Sequence, residues 1–310
     1  MKVLFIAGCG RSGSTILDNI LGQLDGYVSV GEIRYLWQRG MLDDRLCGCG
    51  EPFSSCPFWS DVLRRAQAEG AIDPTRVVEL LGRGTRARHI PWLLRARSRP
   101  ETVRDRLEDL PDVLARTYAA VAEATSARVL VDSSKLPTYG ELLRHVPGIE
   151  VTVVHLIRDP RATAFSWMRA KPLPERDGRV MQQQTPIKSS ALWLLWNATA
   201  ERFWGKRARS LRVRYEDFIA EPERVVRRIV ELVGEPVAEL PFVSPTTVRL
   251  GTTHGVAGNP SRFTTGEVEL RLDAAWREGM RPFDRRLVGA VTAPLAARYR
   301  YLGRSARSGP

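Results

Sequence analysis

Lysine is nearly absent from this 310-residue chain: its 47 basic residues divide into 42 Arg and five Lys. A GC-rich bacterial genome produces that imbalance by itself. The formal charge of +12 therefore has two readings, codon bias or attraction to anions such as nucleotides, acidic small molecules, nucleic acid or a membrane surface. Long apolar runs are missing as well. Nowhere do about 18 apolar residues follow one another, which excludes a membrane-spanning helix. The apolar stretch 3–7 is too short for a secretory h-region, so a cytoplasmic protein is expected, with peripheral membrane contact the most that the charge allows. There is no internal repeat, no low-complexity segment and no recognised nucleic-acid-binding motif, so nucleic acid is not an expected partner.

Cysteine is scarce, four residues in all, but three of them cluster as Cys47, Cys49 and Cys56. A zinc site takes four ligands, often as C-x2-C pairs. Three thiols with C-x-C spacing and no neighbouring His fall short of that pattern, which favours a local disulfide or a buried thiol cluster. A cytosolic setting weighs against a stable disulfide. No metal site is expected.

The missing lysine matters most at the start of the chain. "GCGRSGSTIL" (8–17) follows an apolar run and almost completes the phosphate loop G-x-x-x-x-G-K-[ST], with Ser14 where the lysine belongs. Residues 2–7 read as a buried strand, and Ile16, Leu17, Ile20, Leu21 and Leu24 repeat at helical spacing after it. In a strand–loop–helix turn, backbone N–H groups and the helix N-terminus converge on a concavity suited to a phosphate. The hydroxyls of Ser12, Ser14 and Thr15 add bonds there, and Arg11 returns a positive charge from inside the loop.

Further strands are expected at 128–131, 150–157 and 211–215, each followed by a helix start. Pro137 and Pro160 suit first-turn positions, with Asp159 as N-cap. Alternating strands and helices imply a parallel α/β sheet. Residues 40–127 break the rhythm with helical segments and eight Arg between Arg83 and Arg106. They are expected as a helical insertion within one domain (1–303), and the tail 304–310 as disordered. The 150–157 strand delivers Arg158 to its carboxyl end, where α/β sheets bind ligands, and a guanidinium fork suits a terminal phosphate. A structural ion pair of Arg158 with Asp159 or Glu150 is the plainer alternative. Two phosphate sites, one at each strand end, suit a nucleotide phosphorylated at two places.

These segments together resemble the sulfotransferases that use 3′-phosphoadenosine 5′-phosphosulfate (PAPS). "GRSGST" is similar to their 5′-phosphosulfate loop (Gly10, Arg11, Ser12, Gly13, Ser14 and Thr15), and "LIRDPRATAFSW" to their 3′-phosphate motif, with Arg158 and Ser166 eight residues apart. "LRVRYEDFIAEPE" (211–223) resembles the family's R-Y-E-D segment. "HGVAGNPSRF" (254–263) resembles its late basic loop, which implies that Asn259 and Arg262 hold the 3′-phosphate or adenine. The resemblance implies a P-loop NTPase-like three-layer fold with a central parallel sheet. It also implies transfer of a sulfuryl group from PAPS to a hydroxyl, with adenosine 3′,5′-bisphosphate as product and no metal required.

A transferring sulfuryl group carries less charge than a γ-phosphoryl group, so the lysine and Mg²⁺ of a kinase are less necessary. Asp132 in "VLVDSSK" imitates a Walker-B aspartate and is equally well explained as a strand-end cap. Sulfuryl transfer needs in-line positioning, a stabilised leaving phosphate and a base for the hydroxyl proton. Glu32 lies 21 residues after Arg11. Carbohydrate and tyrosyl-protein sulfotransferases are similar there, which implies that Glu32 is the base; a helix cap or a partner for Arg34 is the structural alternative. Lys135 and Arg11 are assigned to the leaving group. His155, inside a strand, is expected to be a buried hydrogen-bonded residue.

Trp193, Trp196 and Trp204 share a helical face, with core packing expected and an acceptor contact for one of them open. The polar loop 171–189 is a candidate gate, residues 40–127 are the expected acceptor region, and the Arg-rich segment is read as a solvated face. The acceptor is a small molecule or glycan: a carbohydrate, glycolipid, secondary metabolite, phenol or peptide tyrosine. Two other readings are a nucleotide-dependent small-molecule kinase with a degenerate loop and a non-catalytic nucleotide-binding protein. Glu32 and Lys135 speak against the latter.

Overall fold

The computed structural model describes residues 1–170, 172, 180–205 and 207–302. The apolar run after Met1 forms β1 (Lys2–Gly8), and α1 (Ser14–Leu21) follows the glycine loop. A short strand, β2 (Tyr27–Gly31), precedes a 3-10 turn (Ile33–Tyr35) and a π-helical turn (Leu36–Leu42). Residues 40–127 then supply α2 (Pro57–Ala66), α3 (Pro74–Thr85), α4 (Ile90–Ala96), α5 (Glu101–Leu107) and α6 (Leu110–Thr125). The strand–helix alternation resumes with β3 (Val129–Lys135), α7 (Pro137–Leu143), β4 (Glu150–Ile157), α8 (Pro160–Met168), α9 (Pro186–Trp204), β5 (Ser210–Arg214), α10 (Tyr215–Ala220) and α11 (Pro222–Val233). The short strands β6 (Phe242–Ser244), β7 (Thr247–Leu250) and β8 (Gly266–Glu269) follow, then α12 (Trp276–Gly279) and α13 (Pro282–Arg298). The tail 304–310 and part of the candidate gate, 171 and 173–179, lie outside the described residues.

β1 to β5 form one parallel sheet in the order β2-β3-β1-β4-β5, while β6 to β8 pair antiparallel. The near-continuous hydrophobicity of β1 follows from burial on both faces. Side chains alternate across a strand, so Val3, Phe5 and Ala7 enter one core with Trp37, Trp59 and Tyr118, whereas Leu4 and Ile6 enter another with Leu17, Ile20 and Ile229. The helices of 40–127 thus share the first core with the sheet. Pro137 and Pro160 occupy first-turn positions, and the Asp159 carboxylate caps α8 by accepting from Arg161 N. β3 runs four residues past the expected 128–131, and β2 was not anticipated because five residues beside a glycine carry little periodicity.

Behind the glycine loop, Asp18 is buried against the sheet. One of its carboxylate oxygens accepts from Ser29 Oγ at 2.9 Å and the other has no hydrogen-bond partner among the described residues. Burial raises its pKa to about 7, and the nearby Asp132 pushes the same way. Between its ordinary value and 7 the folded chain binds more protons than the unfolded chain. This carboxyl's favourable contribution is therefore complete below the unfolded pKa and is lost as pH rises through 7. Asp18→Asn should be the more stable protein at about pH 8, by roughly 4 kcal/mol at most. The advantage should shrink steadily toward pH 4. Melting curves of both proteins across that range check this; parallel curves overturn it.

Candidate functional site

A cavity of about 540 Å³ opens at the carboxyl ends of β1, β3 and β4, where the strand order reverses around β1. Ligands bind at such switch points because the loops diverge there. Its floor is the glycine loop, with Gly10, Arg11, Gly13, Ser14 and Thr15 all lining it. Gly13 takes φ 90° to start α1, and a Cβ there would sit 2.4 Å from the Tyr215 ring, so the turn admits no side chain. Ser12 is buried beside the loop and is not part of the lining. Arg11 is left-handed too, at φ 68°. Its guanidinium lies over the Trp167 ring, 4.8 Å from the centroid, and all three guanidinium nitrogens are buried without a hydrogen-bond partner among the described residues. Desolvation pulls its pKa below the ordinary value, against the pull of Glu32.

Arg158 and Ser166 line the same cavity from β4 and α8. Neither simple pairing expected for Arg158 occurs: Asp159 binds Arg161, and Glu150 pairs with Arg209. Arg158 instead ion-pairs with Asp273 at 3.1 Å, donates to the Arg11 carbonyl at 3.2 Å, and lies over the Tyr215 ring. Asp273 also holds Arg169 at 2.8 Å. The R-Y-E-D segment explains itself locally. Tyr215 packs on Gly13, and Glu216 accepts from Asp159 N at 3.0 Å and from Tyr301 Oη at 2.6 Å, which ties β5 to the start of α8.

On the opposite wall, Glu32 follows β2. Its N–H donates to the Val256 carbonyl at 2.7 Å, and Gly31 pairs with Val256. The late loop is thereby fastened to the sheet edge. Lys135, at the end of β3, adopts φ 64°, a conformation costly for a side-chain-bearing residue and typical of functional sites. Its Nζ donates to Glu32 Oε1 at 2.5 Å and to the Ser133 carbonyl at 3.0 Å. Both residues line the cavity. Glu32 makes no side-chain cap, and Arg34 bonds Thr85 instead.

Other candidates lie elsewhere. Asn259 lines the cavity while capping the turn Pro260–Phe263, but Arg262 is absent from the lining and donates to the Leu46 carbonyl at 3.1 Å. His155 is buried, bonded to Asn197 at 2.9 Å, and held neutral because desolvation lowers its pKa to about 4. Asp132 accepts from Tyr118 Oη at 2.6 Å and Ser134 N at 2.8 Å, a buried structural role. Trp193 and Trp204 are core residues, whereas Trp196 lines the cavity. No residue of 40–127 lines it; the outer wall comes from Tyr35, Arg39, Gln182, Gln184 and Leu192. No local motif marks Asp273, which stands in an irregular segment, or Arg39, which stands in the short π-helical turn. Trp167 is adjacent to the expected Ser166 and was legible only as its neighbour. The expectation that the cysteines lack a histidine is corrected, because His254 packs against them.

With this geometry in place, the comparisons give the class. The sulfotransferase family model matches residues 4–239, and the chain belongs to the sulfotransferase family. It is similar to the sulfotransferase domain of the Synechococcus PCC 7002 olefin synthase, at 18% identity and TM-score 0.51 over 94% of both chains. It is also similar to the sulfotransferase domain from the curacin biosynthetic pathway, at 16% identity and TM-score 0.51 over 94% of this chain and 97% of that one. These likenesses agree with the P-loop-like α/β fold. No curated protein sequence matches at a significant level. Among the described residues no helix is long and apolar enough to cross a membrane.

Proposed function

We propose that the chain moves a sulfuryl group from PAPS to a hydroxyl of a small-molecule or glycan acceptor, in line and without a metal, in the cytoplasm. The observation that carries this is the juxtaposition in one cavity of an unpaired buried guanidinium (Arg11), a second arginine at the next strand end (Arg158), and the Glu32–Lys135 pair. The loop N–H groups and Arg11 would bind the 5′-phosphosulfate, and Arg158 with Ser166 the 3′-phosphate. Asn259 would border the nucleotide. Glu32 would take the hydroxyl proton as the acceptor oxygen bonds sulfur, and the sulfur–oxygen bond to the nucleotide phosphate breaks. Arg11 and Lys135 would neutralise the charge left on that phosphate.

Tyr35, Arg39, Gln182, Gln184, Leu192 and Trp196 line the rest of the cavity, which supports an acceptor held against them rather than against 40–127. A kinase reading needs a free carboxylate for Mg²⁺ beside the loop. Among the described residues, Asp132 is engaged outside the cavity, and the carboxylates that line it, Glu32 and Asp273, are both ion-paired.

The two phosphate sites can be tested separately. Adenosine 3′,5′-bisphosphate should raise the melting temperature without Mg²⁺, and more than ATP does. In Arg158→Ala its affinity should fall roughly 10- to 100-fold, the effect of losing charge-assisted bonds worth about 1.5–3 kcal/mol. Adenosine 5′-phosphate should bind almost as before. Calorimetric titration of the three ligands decides it. A Mg²⁺ requirement or an ATP preference would overturn the donor, and equal weakening of both adenosine phosphates would overturn the role of Arg158.

A further inference from the structure

We propose that Cys47, Cys49, Cys56 and His254 bind one zinc ion in a closed structural site, separate from the donor cavity. One ligand atom from each lies within 4.8 Å of all the others. The Cys49–Cys56 and Cys56–Cys47 sulfurs are 3.7 and 3.6 Å apart, and His254 Nδ1 is 3.5 and 3.4 Å from the sulfurs of Cys47 and Cys56. A tetrahedron with Zn–S of about 2.3 Å and Zn–N of about 2.05 Å has edges of about 3.8 Å between sulfurs and about 3.6 Å from sulfur to nitrogen. These four edges match it within about 0.2 Å, and all four ligand atoms stay within 4.8 Å of one another, so a small movement of Cys49 closes the tetrahedron. They are too long for a disulfide, whose sulfurs lie about 2.05 Å apart.

The surroundings already hold the ligands in place. Gly50 N donates to the Cys47 carbonyl at 2.9 Å and Cys47 N to the Glu51 carbonyl at 2.8 Å, forming a tight turn that aims two thiols the same way. The His254 ring stacks on Phe58 at 4.5 Å, and Trp59 Nε1 donates to the His254 carbonyl at 2.9 Å. Three sulfurs and one imidazole leave no open position, and none of the four residues lines the donor cavity. Such a donor set selects zinc over hard cations such as Mg²⁺.

The ion would join parts of the chain 198 residues apart. Gly48 N donates to the Gly255 carbonyl at 3.1 Å, and the next residue, Val256, receives the N–H of Glu32. Zinc would therefore clamp the loop bearing Gly258 and Asn259 beside the Glu32–Lys135 pair. Its role is to fix the wall of the cavity, outside the transfer itself.

Elemental analysis of the full chain, purified without chelator, should find about one zinc per protein, released by a mercurial thiol reagent. A cobalt-reconstituted chain should show the intense visible bands of a tetrahedral thiolate centre. Cys9→Ser, a buried cysteine outside the cluster, should keep its zinc. Cys47→Ser and His254→Ala should lose it, and if neither variant folds, the wild-type stoichiometry and cobalt spectrum decide alone. Three outcomes overturn the site: a metal-free chain after growth and purification with zinc, a disulfide among the three cysteines, or zinc retained in both ligand variants.

Discussion

Turnover of a Glu32→Gln variant falls by roughly 10²- to 10⁴-fold, the range for loss of a positioned general base, while adenosine 3′,5′-bisphosphate binds nearly as tightly as before. Glu32 is only 8% exposed and its Oε1 accepts from Lys135 at 2.5 Å. The amide keeps shape and an oxygen for Lys135 but cannot take the hydroxyl proton. Donor affinity barely changes, because an acidic side chain gives an anionic nucleotide no attraction. Single-turnover sulfation beside a binding titration separates the two effects. Near-normal turnover removes Glu32 from the chemistry. His155 offers no replacement, since it is buried against Asn197 outside the cavity. Collapse of binding and turnover together assigns Glu32 a structural role, as the residue that holds Lys135 in its left-handed conformation.

The parts of this site that were legible in the sequence are those made by contiguous residues. A buried parallel strand, a glycine turn and an amphipathic helix follow from local hydrophobicity and from what φ > 0 permits, so the loop at Arg11 and the β4–α8 junction at Arg158 stand where the sequence pattern puts them. The Arg-rich segment divides: Arg83 meets Glu79 and Glu108 and Arg104 meets Asp112 on a solvated face, whereas Arg97 turns inward to the buried Glu141 at 2.6 Å. What was not legible depends on chain return. Glu32 and Lys135 are 103 residues apart, and nothing local in either says that they touch. Asp273 reaches Arg158 from an irregular stretch, and His254 completes a cysteine cluster from the far end of the fold. Arg262 shows the converse failure. It sits in a loop of the expected kind, but its side chain turns to Leu46 because the loop is fastened to the 40–56 segment.

Removing the Arg11 guanidinium should act on ligand affinity and on fold stability in different directions. Arg11→Met should weaken adenosine 3′,5′-bisphosphate by roughly 100-fold, the equivalent of about two charge-assisted bonds. The ligand-free protein should melt no lower than the wild type. All three nitrogens of the Arg11 guanidinium are buried without a hydrogen-bond partner among the described residues, and burial of an unsatisfied charged group costs stability. Its compensation is the Trp167 face at 4.8 Å, and methionine keeps a polarisable side chain against that ring. The left-handed backbone at φ 68° penalises both residues alike. A structural arginine behaves in the opposite way, since its removal lowers the melting temperature and leaves ligand affinity largely intact. Thermal denaturation with and without the bisphosphate, run beside a calorimetric titration, distinguishes them. If Arg11→Met melts several degrees lower and still binds the nucleotide normally, the guanidinium is part of the scaffold and the phosphate loop works through its backbone and hydroxyls alone.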